Sequence, residues 1–230
     1  MRKKSLDMTF PPDLTASDGT GPTPDKRPVY QDFMPPCNHA CPAGENIQSW
    51  LSLVHDNKFE QAWQVLVEQN PMPAVHGRVC YHPCESACNR EQVDDAVSIH
   101  QVERYLGDQA IANGWKPRST NRQSGKKVLI VGAGPSGLSA AYHLARLGHD
   151  VEIRDAGPIA GGMMHFGIPA YRLPRDILRA EIQRIEDMGV TITLSYKVDD
   201  LLLEKEQGKF DAVFVAVGAH ISKKVDLPAR

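Results

Sequence analysis

The chain has 230 residues, 41% of them hydrophobic and 23% charged, which leaves room for two modest domains and excludes a largely disordered chain. Its 26 basic and 28 acidic residues give a formal charge of -2 with no basic stripe, so a nucleic-acid partner is not expected. No apolar run approaches the length of a membrane span, and the basic start Met1-Arg2-Lys3-Lys4 meets Asp7 where an export signal needs an apolar core; a cytoplasmic protein without membrane insertion is expected.

Residues 1–36 carry Pro11, Pro12, Pro22, Pro24, Pro28, Pro35 and Pro36 with little apolar periodicity, the pattern of an extended arm. From Glu45 to Glu68, Ile47, Leu51 and Val54, then Phe59, Ala62, Trp63, Leu66 and Val67, recur at helical steps and predict two amphipathic helices joined near Asn57. Asn70-Pro71 and Met72-Pro73 stop the second helix, and a short loop is expected to deliver Cys80. A further helix is predicted over Ser98–Asn113, with Gly114 past its end. The α-helical domain therefore spans 37–115, and 116–126 reads as a linker. From Lys127 the pattern changes to strands alternating with helices: 127–131, 136–147, 151–154, 175–188, 190–194 and 212–217. This is a parallel sheet with helices packed on it, a Rossmann-like α/β domain over 127–230 that is incomplete at its end.

All five cysteines lie between Cys37 and Cys88, as Cys37-x3-Cys41-Pro42 and Cys80-x3-Cys84-x3-Cys88. An odd, tightly grouped set points to metal more than to disulfides, and thiolates followed by proline suit iron clusters. On one continuous helix Cys80 and Cys88 would stand about 12 Å apart, so the two serve different centres unless His82-Pro83 breaks the backbone. Structural zinc and buried structural thiols are the alternatives.

Lys127-Val-Leu-Ile-Val131 runs into Gly132-Ala133-Gly134-Pro135-Ser136-Gly137, followed by a helical pattern and, at the end of the next strand, Asp155. In this strand, turn and helix context Gly132 makes the sharp turn, Gly134 admits a pyrophosphate, Gly137 lets the helix approach the strand, and Asp155 is placed for a ribose. The fingerprint serves FAD and NAD alike.

Together with Pro36-Cys-Asn-His-Ala-Cys-Pro42, Asn70-Pro71, Gly77-Arg-Val-Cys80, Pro83-Cys-Glu-Ser-Ala-Cys88, Val102-Glu-Arg-Tyr105 and the run from Gly161 to Pro174, this turn resembles the glutamate synthase small (beta) subunit family and the N-terminal part of dihydropyrimidine dehydrogenase, from about residue 30 to 220. The resemblance implies a helical domain with 4Fe-4S clusters followed by an FAD domain. One cluster would use Cys41, Cys80, Cys84 and the carboxylate of Glu103. The other would use Cys37 and Cys88 with two upstream cysteines, where this chain has Val29 and Asp32, so the number of clusters stays open. For FAD the resemblance implies Gly132 to Ser136, Asp155, Gly161, Gly162, Met163, Arg172 and the Val198 backbone. Against these stand a solvated Glu103 paired with Arg104, and an Arg172 held in a surface salt bridge.

The resulting expectation is an iron-sulfur flavoprotein oxidoreductase subunit or fragment. It relays electrons between NAD(P)H, bound on a missing domain or partner, FAD and a 4Fe-4S cluster, with a glutamate synthase large-subunit-like or ferredoxin-type electron partner. The second NADPH-binding glycine turn of that family is not in these 230 residues. A zinc-binding, non-catalytic adaptor with a vestigial dinucleotide fold is the alternative, and an NAD dehydrogenase a third. The histidines show no ligand spacing; His165, beside the predicted flavin ring, is the one to test.

Overall fold

The computed structural model describes residues 35–119 and 123–219. The expected proline-rich arm before Pro35, with Val29 and Asp32, lies outside the described residues, as do positions 120–122 and the segment after Ala219.

The helical part begins with α1 (Pro36–Ala40), α2 (Ile47–His55) and α3 (Phe59–Leu66). The Asn46 side chain caps α2 by accepting from the Ser49 amide at 3.3 Å, and the left-handed Asn57 reverses the chain between α2 and α3, where the sequence placed the joint. Ile47, Trp50, Trp63 and Leu66 are fully buried, so the periodic apolar faces meet one another, as amphipathic helices require.

Cys80 is not delivered by a loop. Pro73 opens a helix, α4 (Pro73–Val79), because proline's fixed φ and missing N–H suit the first helical position. Cys80 sits at its C-terminal end in extended conformation. His82, left-handed at φ 43° before Pro83, breaks the backbone, and α5 (Pro83–Ser86) starts there. A 3-10 turn follows at Asn89–Gln92, then α6 (Ile99–Asn113), which ends at the left-handed Gly114. Helices α4 and α6 cross at backbone contact: a Cβ on Gly77 would stand 2.5 Å from the Arg104 nitrogen, and one on Gly107 would stand 2.3 Å from that of Ala74. That crossing brings Cys80, at the end of α4, toward Glu103 on α6.

The α/β part consists of β1 (Lys127–Val131), α7 (Pro135–Arg146), β2 (Asp150–Arg154), α8 (Met163–Phe166), α9 (Arg175–Glu186), β3 (Thr191–Thr193), α10 (Leu201–Gln207) and β4 (Ala212–Val215). The strands form one parallel sheet in the order β3-β2-β1-β4. Central β1 is an almost continuous buried apolar run, as a strand covered on both faces must be. Helices α8 and α10 are not among the predicted elements; Asp200 caps α10, accepting from the Leu202 and Leu203 amides at 2.9 and 3.0 Å. The other strand and helix limits fall within about two residues of the predicted ones, the ordinary uncertainty of element ends.

Buried polar contacts join the helical elements to the sheet helices. The Tyr142 hydroxyl donates to the Val67 carbonyl at 2.8 Å. Fully buried Glu181 accepts from the Ala74 amide at 2.8 Å and pairs with Arg184, whose guanidinium lies over the Trp63 ring. Removing one member of a buried pair leaves its partner's charge uncompensated, so Glu181→Ala is expected to destabilise the protein by about 3 kcal/mol, seen as a lowered midpoint in urea unfolding.

Candidate functional site

The five cysteines are all reduced, with Cys84 buried and the others half-buried, and the fold sorts them. Cys41, Cys80 and Cys84 share one neighbourhood with Glu45, Glu85 and Glu103: burial pushes the Cys84 thiol up to about 12, and the charges of Cys41, Glu85 and Cys80 add to it. Burial likewise raises Cys80, followed by the charges of Glu103, Glu45 and Glu85. Cys37 faces Cys88 instead; burial raises its thiol, with a smaller contribution from Cys88. Three thiols and three carboxyls crowded this way repel one another when ionised, so their thiolate forms need a cation among them. The His82 amide already donates to the Cys80 sulfur at 3.2 Å, the kind of bond that tunes cluster sulfurs.

The spacing distinguishes the candidate metals. Tetrahedral zinc with Zn–S near 2.3 Å places its sulfurs about 3.8 Å apart. Among the described residues no three cysteines bring their sulfurs within 4.8 Å of one another. Thiolates that do not gather around one point suit a multi-iron cluster, whose ligands bind different irons.

Glu103 is buried and not solvated; its neighbour Arg104 pairs with Asp108. Asn70, 1% exposed, donates from its Nδ2 to Oε1 of Glu103 at 2.7 Å and to Oε1 of Glu45 at 2.9 Å. Its Oδ1 accepts from the Met72 amide at 3.2 Å and meets His76 Nδ1 at 2.6 Å. Glu45 and Asn70 were not picked out as site residues from sequence, since no periodicity marks a polar residue paired across the fold.

Burial raises the Glu45 carboxyl from 4.5 to about 7, against the Asn70 bond that lowers it, and burial together with the Glu45 charge raises Glu103 in the same direction. In the iron-free chain the folded state therefore keeps a proton that the unfolded state has released between these pH values. Stability is fully present below pH 4.5 and falls as pH rises through about 7, by about 3 kcal/mol for Glu45. Urea midpoints compared at about pH 5 and about pH 8 measure that loss, and Glu45→Gln is expected to remove its share.

His82, Glu85 and His100 also bring ligand atoms within 4.8 Å of one another. The two imidazoles stack with centroids 4.0 Å apart and planes 12° from parallel, so their in-plane lone pairs run side by side and do not converge on one ion. Glu85 Oε1 already accepts from the His100 amide at 2.9 Å and meets its Nδ1 at 2.7 Å. The trio braces α5 against the start of α6.

In the dinucleotide turn Gly132 has φ 111°, and a Cβ on Gly137 would stand 1.9 Å from the Gly132 carbonyl oxygen. Beside Gly134 an added Cβ meets nothing within 4 Å, which leaves an open cradle at the start of α7. The first-turn amides of Ser136 and Gly137 have no partner four residues back within the helix and are available to a phosphate. Asp155 accepts from the Ala133 amide through Oδ2 and from the Gly157 amide through Oδ1, both at 2.6 Å. The carboxylate thus ties the turn to the end of β2 and keeps lone pairs for a ribose.

The Gly161 amide donates to the Ala133 carbonyl at 2.8 Å, which brings Gly161, Gly162 and the exposed Met163 beside the turn. His165 stands edge-on to Phe166. Arg172 is exposed and makes no ion pair among the described residues. Val198 packs beside Leu129, Val131 and Phe210. These residues fit a bound dinucleotide: the cradle is open, its amides are unspent, and an acid closes the far end.

Comparison with known proteins places the two halves in one class, an iron-sulfur domain joined to a Rossmann-like dinucleotide fold. Residues 30–115 match the family model of dihydropyrimidine dehydrogenase domain II, 4Fe-4S cluster, and residues 130–173 match the NAD(P)-binding Rossmann-like domain. The chain is homologous to the glutamate synthase small-subunit group read from its motifs: it is 36% identical to the glutamate synthase [NADPH] small chain of Escherichia coli, over 83% of this chain and 41% of that one. It is 40% identical to the NADP(+)-dependent formate dehydrogenase subunit beta of Moorella thermoacetica, over 86% of this chain and 31% of that one. It is also 42% identical to the NADPH-Fe(3+) oxidoreductase subunit beta of Geobacter sulfurreducens, over 83% and 29%. The chain spans just under a third of these last two relatives. No helix of the described residues is long and apolar enough to cross a membrane.

Proposed function

We propose that this chain is the electron-relay portion of an NAD(P)H-linked iron-sulfur flavoprotein. The observation that carries the reading is the convergence of Cys41, Cys80 and Cys84 with Glu103 in one neighbourhood, next to a fold with an open dinucleotide cradle. Cys41, Cys80, Cys84 and Glu103 hold the 4Fe-4S cluster. FAD is held by Gly132 to Gly137, Asp155, Gly161 to Met163, Arg172 and the Val198 backbone. When bound there, FAD would supply the exchange between two-electron hydride chemistry and single-electron transfer to the cluster.

The chain's own residues do the rest. The start of α7 neutralises the pyrophosphate with its amides, Asp155 holds the ribose, and the packing of α4 on α6 buries Glu103, which strengthens its electrostatic hold on iron. Cys37 and Cys88 stand apart from this set; with Val29 and Asp32 in the upstream positions, they do not complete a second four-thiolate site. The functional division follows the sequence boundaries, with iron-sulfur chemistry over 37–115 and flavin binding from Lys127 onward.

The partner is a chain or domain that carries the NAD(P)H site and the electron acceptor, of the glutamate synthase large-subunit or ferredoxin type. That the relatives are named as subunits and small chains of larger enzymes supports this. The zinc-adaptor alternative is opposed by the match of residues 30–115 to a 4Fe-4S cluster family model.

Anaerobic purification followed by a visible spectrum and assays of iron, acid-labile sulfide, zinc and flavin tests the reading. A broad shoulder near 400 nm with flavin bands and about four irons per chain is expected; a colourless protein containing zinc would overturn it.

A further inference from the structure

Asn70 uses its whole hydrogen-bonding capacity, and the arrangement leaves no freedom in how its amide is turned. The Met72 backbone N–H can only donate, so the atom it reaches at 3.2 Å is the Asn70 oxygen. Both hydrogens of Nδ2 then point at carboxylates, Glu103 Oε1 at 2.7 Å and Glu45 Oε1 at 2.9 Å. The same oxygen receives His76 at 2.6 Å, so Nδ1 of that ring carries its hydrogen. The amide and both of its carboxylate partners are deeply buried: Asn70 is 1% exposed and Glu45 and Glu103 are each 6% exposed. No hydrogen bond reaches Oε2 of Glu103 among the described residues.

We propose that Asn70 is a positioning residue for the cluster's carboxylate ligand: it engages Oε1 of Glu103, fixes the plane of the carboxylate, and leaves Oε2 as the single oxygen presented to iron. This rests on the reading that Glu103 completes the ligand set with Cys41, Cys80 and Cys84. A bidentate carboxylate would crowd an iron that has three sulfides as its other neighbours, whereas a carboxylate with one oxygen occupied by an N–H is held to one bond. The N–H also withdraws electron density from the ligand, as hydrogen bonds to a ligand do, and so favours the reduced cluster. Glu45 takes the second hydrogen of the amide, which keeps Asn70 from rotating away.

The test is a double-mutant cycle on the iron-loaded chain, read by the cluster's midpoint potential and by the electron paramagnetic resonance spectrum of its reduced form. Asn70→Ser keeps an oxygen for the Met72 amide but loses the two-pronged donor. It is expected to lower the reduced-to-oxidised ratio about tenfold at a fixed potential, about 59 mV for a one-electron couple, and to change the resonance line shape. In a Glu103→Ala background Asn70→Ser is expected to change neither, because no carboxylate remains to be positioned. Urea unfolding of the iron-free variants separates loss of fold from loss of positioning. A shift of equal size in both backgrounds, or none in either, overturns the role of Asn70. If Glu103→Ala by itself leaves potential and spectrum unchanged, the carboxylate is not a ligand and the proposal falls with it, while a chain that never takes up iron sinks the relay reading itself.

Discussion

Replacing Cys84 with alanine is expected to empty the iron-sulfur site, with iron and acid-labile sulfide per chain falling about tenfold or more and the shoulder near 400 nm lost. Cys84 is the buried thiol of the set, the one whose ionisation the fold opposes most, with its thiol pushed up to about 12. A thiol in that position is held as thiolate only by a cation bonded to it, and cluster assembly supplies that bond energy. Once it is removed, Cys41, Cys80 and Glu103 are left to hold a corner that nothing closes. Cys37→Ala is the matched control. Cys37 lies in the first turn of α1 facing Cys88, outside the neighbourhood of Cys84, and its loss is expected to leave at least about half of the iron in place. Equal losses in the two variants would mean that the five thiols act as one site.

Gly137→Ala is expected to abolish flavin binding and to destabilise the protein by about 3 kcal/mol, measured as a fall in bound flavin together with a lowered unfolding midpoint. The added methyl would stand 1.9 Å from the Gly132 carbonyl oxygen, a backbone atom that cannot move aside unless β1 and α7 separate. Gly134→Ala serves as its partner experiment. Gly134 has extended φ and ψ of -78° and -177°, which alanine adopts freely, and its Cβ meets nothing within 4 Å. That variant is expected to fold with unchanged stability yet to bind flavin at least about tenfold more weakly, because the methyl occupies the pyrophosphate cradle. The pair separates the two uses of glycine in one turn: packing at Gly137, ligand access at Gly134.

The sequence by itself determined what depends on near neighbours. The Val-Leu-Ile-Val run before Gly132 predicts β1 and the turn, because strand burial, a tight bend and a helix start are all local demands on residue type. Apolar spacing predicts α2, α3, α6, α7 and α9 for the same reason, and the choice of iron as the metal followed from thiolate chemistry before any contact was known. The tertiary structure decided what depends on residues far apart in the chain. Proline at Pro73 was legible as a helix stop but also starts α4, and only the packing of α4 on α6 through Gly77 and Gly107 makes that helix worth forming. Whether Cys80 and Cys88 shared a centre was open along a single helix; the left-handed His82 and the crossing of α4 with α6 place Cys80 with Cys84 and Cys41, and Cys88 with Cys37. Asn70 reads in sequence as part of the proline-bearing stop of a helix, and Glu45 as no more than the residue where the helical stretch begins. Burial and an amide shared between carboxylates 25 and 33 positions away turn both into part of the site, and hydrogen bonds over such separations leave no trace in local periodicity because they are set by which helices pack, not by which residues follow one another.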